Sequence, residues 1–292
     1  MTVRIGLIGN STEHGDILTK TGLNWKVKSE AIQTVSGIVI PDTVAMIRED
    51  TNVSLGIHTD GYVPYQNDQL LELLYRIGQS TGLQLHSGGY FGNGGKVWLQ
   101  LKSNDLKLPG GDIVKGYISG FNSFDGRTAL AFGNCNLTVS CMNTFWRGYR
   151  SVETRLRHSS MMINRIDDIL RNIDKMLEEE KHTFTEIERL NVTPMNSVVK
   201  ELVTRLMFDI AKDSKLDGEE ISTAKKNKME RFNFDLDAEV AQKGNSLWGL
   251  FSGITRYTTH SMKNGKDNTE AKIFGMTGQK ERAIWEQLVT VW

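Results

Sequence analysis

The sequence predicts an α+β fold: an antiparallel sheet of hairpins packed on long helices. Three observations predict it. Between Leu83 and Asn143, runs of apolar and β-favouring residues are separated by glycine-bearing turns. From Val152 onward the apolar residues instead recur every three or four positions. Thr193-Pro194 then supplies the residue types that open a helix, a threonine cap and a proline in the first turn.

Composition narrows the setting. The chain has 292 residues, with 35 Lys and Arg against 35 Asp and Glu, so its formal net charge is zero. The field of the whole molecule therefore steers no polyanion, and any such site has to be a local patch. Hydrophobic residues make up 39% and charged residues 24%, the balance of a soluble globular protein. No apolar run approaches the roughly 20 residues that a membrane span needs, so no membrane partner is expected. The opening "MTVRIGLIGN" lacks the apolar core and cleavage site of a signal peptide. Cys135 and Cys141 sit in one apolar segment and read as reduced, packed thiols. Together these features fit a reducing cytosol.

Taken in order, residues 1–50 read as an N-terminal segment of mixed character, and residues 51–292 as one α+β domain, sheet-rich over 51–146 and helix-rich over 147–292. "LGIHTDGYVPYQN", Leu55 to Asn67, alternates weakly and reads as a strand. Asn67 caps a helix whose Leu70, Leu73, Leu74 and Ile77 fall at helical spacing, with Gly78 and Gly82 at its end. "LQLHSGGYFGNGGKVWLQLKS" reads as a hairpin turning in Gly92–Gly95, and Val97, Leu99 and Leu101 alternate with Trp98, Gln100 and Lys102. Asp125-Gly126 marks a turn between two further strands. The stripe Val152, Leu156, Ile163, Ile166, Leu170, Ile173 and Leu177 predicts a long helix. Val199, Leu202, Leu206 and Ile210 line the inner face of the next one. "KDSKLDGEEISTAKKNKMER" reads as a charged, solvated segment, and the last helix carries Ala283, Ile284, Leu288 and Val289.

Familiar motifs fail on spacing. "GGYFGNGGKV" has no glycine five residues before Gly95, and Val97 stands where a phosphate loop needs Ser or Thr. "DSKLDGEEISTA" has Lys215 and Ala224 where a calcium loop needs acceptor oxygens. The six histidines form no HxxxH pair and no CxxC is present, so no metal frame and no cofactor are expected. His58 and Asp60 could share a strand face, but no nucleophile or third ligand accompanies them. No catalytic constellation is recognisable; a non-catalytic role is expected, with enzymatic activity left open.

The strongest local signal is "SCMNTFWRGYRSVETRLRHSS". It gathers Trp146, Tyr149, Arg147, Arg150, Arg155 and Arg157 with only Glu153 to offset the charge. Guanidinium forks match phosphate oxygens, and aromatic rings stack on bases of any sequence. Tyr90, Phe91 and Lys96, beside the glycine turn, extend the candidate nucleic-acid-binding set. The other reading of these residues is a core anchored by the rings and a solvated helix face carrying the arginines.

The chain also resembles a family of phage- and plasmid-encoded proteins of unassigned role. The matching pieces are "LGIHTDGYVPYQN", "GGKVW", "NSFDGRTAL", "VSCMNTF", "LRHS" and "LWGLFSGITRYTTH". The resemblance implies a mobile-element origin and a cytoplasmic setting in a host cell. The order of hairpins followed by a long helix is similar to that of phage single-strand annealing proteins, a likeness of fold only. The resulting expectation is a phage-type protein that binds nucleic acid, single-stranded DNA in particular, in replication or recombination, with self-association left open. The alternative is a non-catalytic phage factor that binds and blocks a host protein or defence system.

Overall fold

A computed structural model describes residues 3–135, 152, 154–171, 173–216, 218, 221–262 and 276–291. It is a mixed structure of antiparallel sheets and helices, as the sequence predicts. The chain divides into two compact units, Met1–Asp105 with Lys115–Glu180, and Leu106–Val114 with Lys181–Trp292. Residues 3–48 lie within the first unit.

The first unit holds two sheets. The larger has six strands in the order β1 (Val3–Leu7), β5 (Gln84–Phe91), β6 (Lys96–Lys107), β7 (Ile113–Ser123), β8 (Leu130–Cys135) and β9 (Thr154–Leu156). The smaller joins β2 (Val27–Gln33), β3 (Val39–Arg48) and β4 (Val53–Thr59). Between them run α1 (His14–Thr21) and α2 (Asn67–Thr81). The β5–β6 hairpin turns through Gly92–Gly95, pairing Phe91 with Lys96 and Gly88 with Leu99.

The core of this unit lies under α2. Leu70, Leu74 and Ile77 are buried against Val97, Leu99, Leu101 and Phe132 of the sheet. The start of α2 is fixed by a capping box in which the Gln66 and Gln69 side chains each accept from the other's backbone. The opposite face of the sheet is buried as well: Trp98, Gln100, Tyr117 and Phe121 are all fully covered. The polar members of the alternating set in β6 lie on this covered face. A polar ladder crosses it, with Gln100 Nε2 donating to Ser119 Oγ at 2.8 Å and Ser87 Oγ donating to Gln100 Oε1 at 3.4 Å.

The helix expected from Val152 starts later. Thr154–Leu156 instead forms the edge strand β9, paired with β8 through Leu130–Leu156 and Ala131–Arg155. A 3₁₀ turn (Ser160–Arg165) follows, then α3 (Ile166–Arg171) and α4 (Ile173–Val192). Leu156 is buried in either arrangement, and sheet pairing satisfies backbone groups that an isolated first turn would leave open.

The second unit is built from the C-terminal part of α4 with α5 (Ser197–Phe208), α6 (Thr223–Lys243), α7 (Leu247–Arg256), a π-helical turn (Tyr257–Ser261) and α8 (Met276–Val291). The cap of α5 is Asn196, whose side chain accepts from Val199 N at 3.0 Å, rather than Thr193. Its buried face is Val199, Val203 and Met207, with Leu206 only half-buried. Phe208, Phe232 and Tyr257 meet ring to ring at centroid distances of 5.5–5.9 Å in the middle of this core. Of the segment read as solvated, the stretch from Thr223 onward belongs to α6, capped by Ser222; within it Met229 is buried and most side chains are exposed, and the buried face of the helix continues beyond it through Phe232 and Leu236. The outer end of the β6–β7 hairpin, Leu106–Val114, belongs to this unit. Its Leu106, Leu108 and Val114 pack with Phe184, Ile187 and Trp285. Trp248 Nε1 donates to Asp112 Oδ2 at 3.0 Å, and Lys243 pairs with the same carboxylate at 3.2 Å.

Candidate functional site

The densest gathering of polar and aromatic groups in the first unit begins at the end of β4. His58 is held by a 2.9 Å hydrogen bond between Nε2 and the Phe124 carbonyl. The chain then leaves the sheet in a tight turn, with Tyr62 N donating to Thr59 O at 3.0 Å. That turn brings Tyr62 back over His58, with ring centroids 3.9 Å apart and planes 18° from parallel. The Tyr62 hydroxyl donates to Ser123 O at 2.7 Å. On its other side lies His158, 4.8 Å away and 27° from parallel. The His158 carbonyl accepts from Val63 N at 3.3 Å, which ties the post-β9 segment to the same turn. Asp60 lies beyond the strand and bonds through its backbone to Asp42 O, so it does not share a strand face with His58.

Two glycines make room for this stack. A Cβ on Gly56 would stand 2.7 Å from Phe124 O and 2.8 Å from His58 Nε2, and one on Gly126 would stand 2.7 Å from His58 Cε1. Gly126 also adopts φ +71°, which L side chains rarely do.

Burial pushes the His158 imidazole down to about 4, and the nearby His58 acts in the same direction. Among the described residues neither His158 ring nitrogen has a hydrogen-bond partner. Burial, and then the Asp125 carboxylate, push the Tyr62 phenol well above its ordinary value. His158 and Tyr62 are therefore both uncharged at neutral pH.

A buried ion pair lies next to it. Lys96, 5% exposed, pairs with Asp125 across the hairpin and the β7–β8 turn. Asp125 Oδ1 also accepts from Arg127 N at 3.0 Å. Phe124 N donates to Gly95 O at 2.9 Å, which locks the two turns together. Beside the pair is a cavity of about 430 Å³ lined by Ser54, Gly56, Asn93, Lys96, Asp125 and Arg127.

The residues singled out in the sequence fare differently. Trp146, Arg147, Tyr149 and Arg150 lie outside the described residues. Arg155, on β9, and Arg157 are both exposed, and Arg157 immediately precedes His158. Phe91 is only 2% exposed and packs on Trp98 with centroids 4.7 Å apart, so it is a core residue rather than an open platform. Lys96 is likewise turned inward, onto Asp125. Tyr90 is half-buried, its ring covered by the Arg48 guanidinium at 4.9 Å and met edge-on by Trp25 at 6.0 Å. His58, Tyr62 and Asp125 were not among the candidates. The signal that pointed near them was the set of pieces carrying the family resemblance, since "LGIHTDGYVPYQN", "GGKVW", "NSFDGRTAL" and "LRHS" all contribute residues to this one region.

Comparison with known proteins gives one match. Residues 54–285 fit the family described as a domain of unknown function, DUF932. The chain belongs to the DUF932 family. The DUF932 match begins within β4 and ends within α8, so it takes in the ring stack, the Lys96–Asp125 pair and parts of both compact units. It leaves out β1, α1, β2 and β3, which complete the two sheets of the first unit in this DUF932 protein. No curated protein and no solved structure matches the chain. Among the described residues no helix is long and apolar enough to cross a membrane, and no three His, Cys, Asp or Glu side chains are grouped to hold a metal ion.

Proposed function

We propose that this DUF932 protein binds nucleic acid, single-stranded DNA in particular, as a phage-type factor in replication or recombination. The observation that supports this reading is the placing of exposed arginines at both ends of the ring stack. Arg157 adjoins His158, and Arg127 adjoins Gly126, which packs on His58. Guanidinium groups pair with phosphate oxygens in fixed fork geometry. Arg155, two residues before Arg157, extends the basic edge. Because the chain as a whole is neutral, affinity would come from this patch alone and fall steeply with salt.

The test is fluorescence anisotropy with a labelled oligonucleotide at low salt. Saturable binding that weakens between about 50 and 200 mM NaCl supports the reading. No change in anisotropy at the lowest salt overturns it.

A second reading, a factor that engages a host protein, is favoured by a different feature. The β2–β3 hairpin ends in an exposed apolar tip, with Val35 at 110% and Ile38 at 66% exposure, and Val39 beside them is also exposed. Exposed apolar patches of this kind mark interaction surfaces. A stoichiometric host protein recovered with the intact chain, and lost when Val35 and Ile38 are changed to Ser, would favour this reading over the first.

A further inference from the structure

The first unit contains a second concavity, away from the ring stack. It lies where the loop after β1 meets the C-terminal end of α2 and the start of β5, and its volume is about 410 Å³. That falls within the roughly 300–1,000 Å³ that small-molecule sites span. Its floor is apolar: Ile17 and Leu101 are fully buried, and Leu85 is half-buried. Its rim carries three carboxamides, Asn10, Gln79 and Gln84, with the Tyr75 ring on one wall.

Every side chain lining this cavity is uncharged. The lysine bonded to the lining residue Ser11 is already engaged: Lys20 Nζ donates to Ser11 Oγ and to Ile8 O at 3.3 Å, and pairs with Asp16 at 3.1 Å. An ionic ligand entering here would lose hydration without gaining a counter-charge, which costs far more than an apolar floor returns. A neutral molecule loses nothing of that kind. Each carboxamide presents a donor and an acceptor side by side, the pattern that matches the edge of a nucleobase. The apolar floor and the tyrosine ring suit its flat faces.

We propose that this cavity is a binding site for an uncharged, planar, hydrogen-bonding heterocycle of nucleoside size. The site does not depend on the ring stack or on Arg155 and Arg157, so it stands or falls separately from the function proposed above. Its recognition differs in kind: the cavity reads a neutral edge, whereas the arginine patch reads phosphate charge.

The probe is 2-aminopurine riboside, whose fluorescence is quenched on stacking, titrated with the full chain. The expected result is saturable quenching that is unchanged between about 50 and 500 mM NaCl, since no ion pair is formed. The 5′-monophosphate of the same probe should bind no tighter than the riboside. Leu85→Phe, which fills the cavity floor, should abolish quenching. Should Leu85→Phe lower the melting temperature, the exposed Gln79→Ala serves instead; it removes one edge contact and should weaken binding about five- to tenfold with folding intact. Absence of saturable quenching overturns the proposal. So does affinity that falls with salt, tighter binding of the monophosphate, or quenching that persists in a folded Leu85→Phe protein.

Discussion

The Tyr62 ring lies almost flat on the His58 imidazole, 3.9 Å between centroids, while its hydroxyl donates to Ser123 O at 2.7 Å. Stacking and hydrogen bonding thus hold one side chain from two directions, and the two contributions are separable. Tyr62→Phe keeps the stack and removes only the donor. It should cost about 1–2 kcal/mol in urea melts, because a buried carbonyl is left without its partner. Tyr62→Ala removes both and should cost clearly more. Equal losses would mean that the ring contacts contribute nothing.

The buried His158 gives stability an acid-side slope. Burial lowers its folded-state value to about 4 from the ordinary 6.5. The unfolded chain then binds the additional proton between these limits, so stability rises with pH across that window. The contribution is fully present above about pH 6.5, is lost as the pH falls toward 4, and changes no further below it; its size is on the order of 3 kcal/mol. Equilibrium unfolding from pH 7 to pH 4 should show this fall, and His158→Leu should flatten it. A slope unchanged in that variant would place the titrating group elsewhere.

Breaking the Lys96–Asp125 pair from one side should be more damaging than removing it whole. Lys96→Met leaves a carboxylate 18% exposed and uncompensated, and should cost about 3–5 kcal/mol. Lys96→Met with Asp125→Leu should recover a large part of that loss. A double-mutant cycle with no coupling would show the pair to be independent.

Gly89→Ala should detach the edge of the large sheet. A Cβ there would sit 1.9 Å from Arg4 O and 2.8 Å from the Trp98 ring, so β1 cannot keep its register with β5. The expected loss is on the order of 3 kcal/mol or more, with amide protection lost first in residues 3–7.

Replacing Arg155 and Arg157 by Gln should weaken oligonucleotide binding and lower its salt slope by about one per lost phosphate contact. Both residues are exposed, so the melting temperature should stay within about 1 °C of the parent. A large fall in melting temperature with unchanged binding would make them structural instead.

The parts of the fold that could be read are those where one local pattern decides the outcome. Leu70, Leu73, Leu74 and Ile77 mark α2, and the glycines from Gly92 to Gly95 mark the β5–β6 turn. Strand β2 escaped because most of its residues are exposed, which leaves no alternation to detect. Helix α6 escaped because Met229, Phe232 and Leu236 are spread among charged neighbours, and its buried face is narrow. Leu156 misled because a residue seven positions before Ile163 fits a helical stripe and a strand edge equally well. The site was hidden for a stronger reason. His58 and His158 stand a hundred positions apart, and only the return of the chain past β9 sets both against Tyr62. The arginine cluster was visible as a run of letters, yet the groups it adjoins were not.

The path of the chain between its two compact units has a consequence for anyone who would divide it. The backbone leaves the first unit after Asp105, returns at Lys115 and leaves again after Glu180. A gene fragment ending at residue 180 would still encode Leu106, Leu108 and Val114 but not Phe184, Ile187 or Trp285, against which they pack. Such a fragment would carry a sticky loop, and the complementary fragment would lack a wall of its core. Cut at residue 180, the gene yields no piece that encodes a whole compact unit and nothing else, so the two units are written into the sequence interleaved rather than end to end.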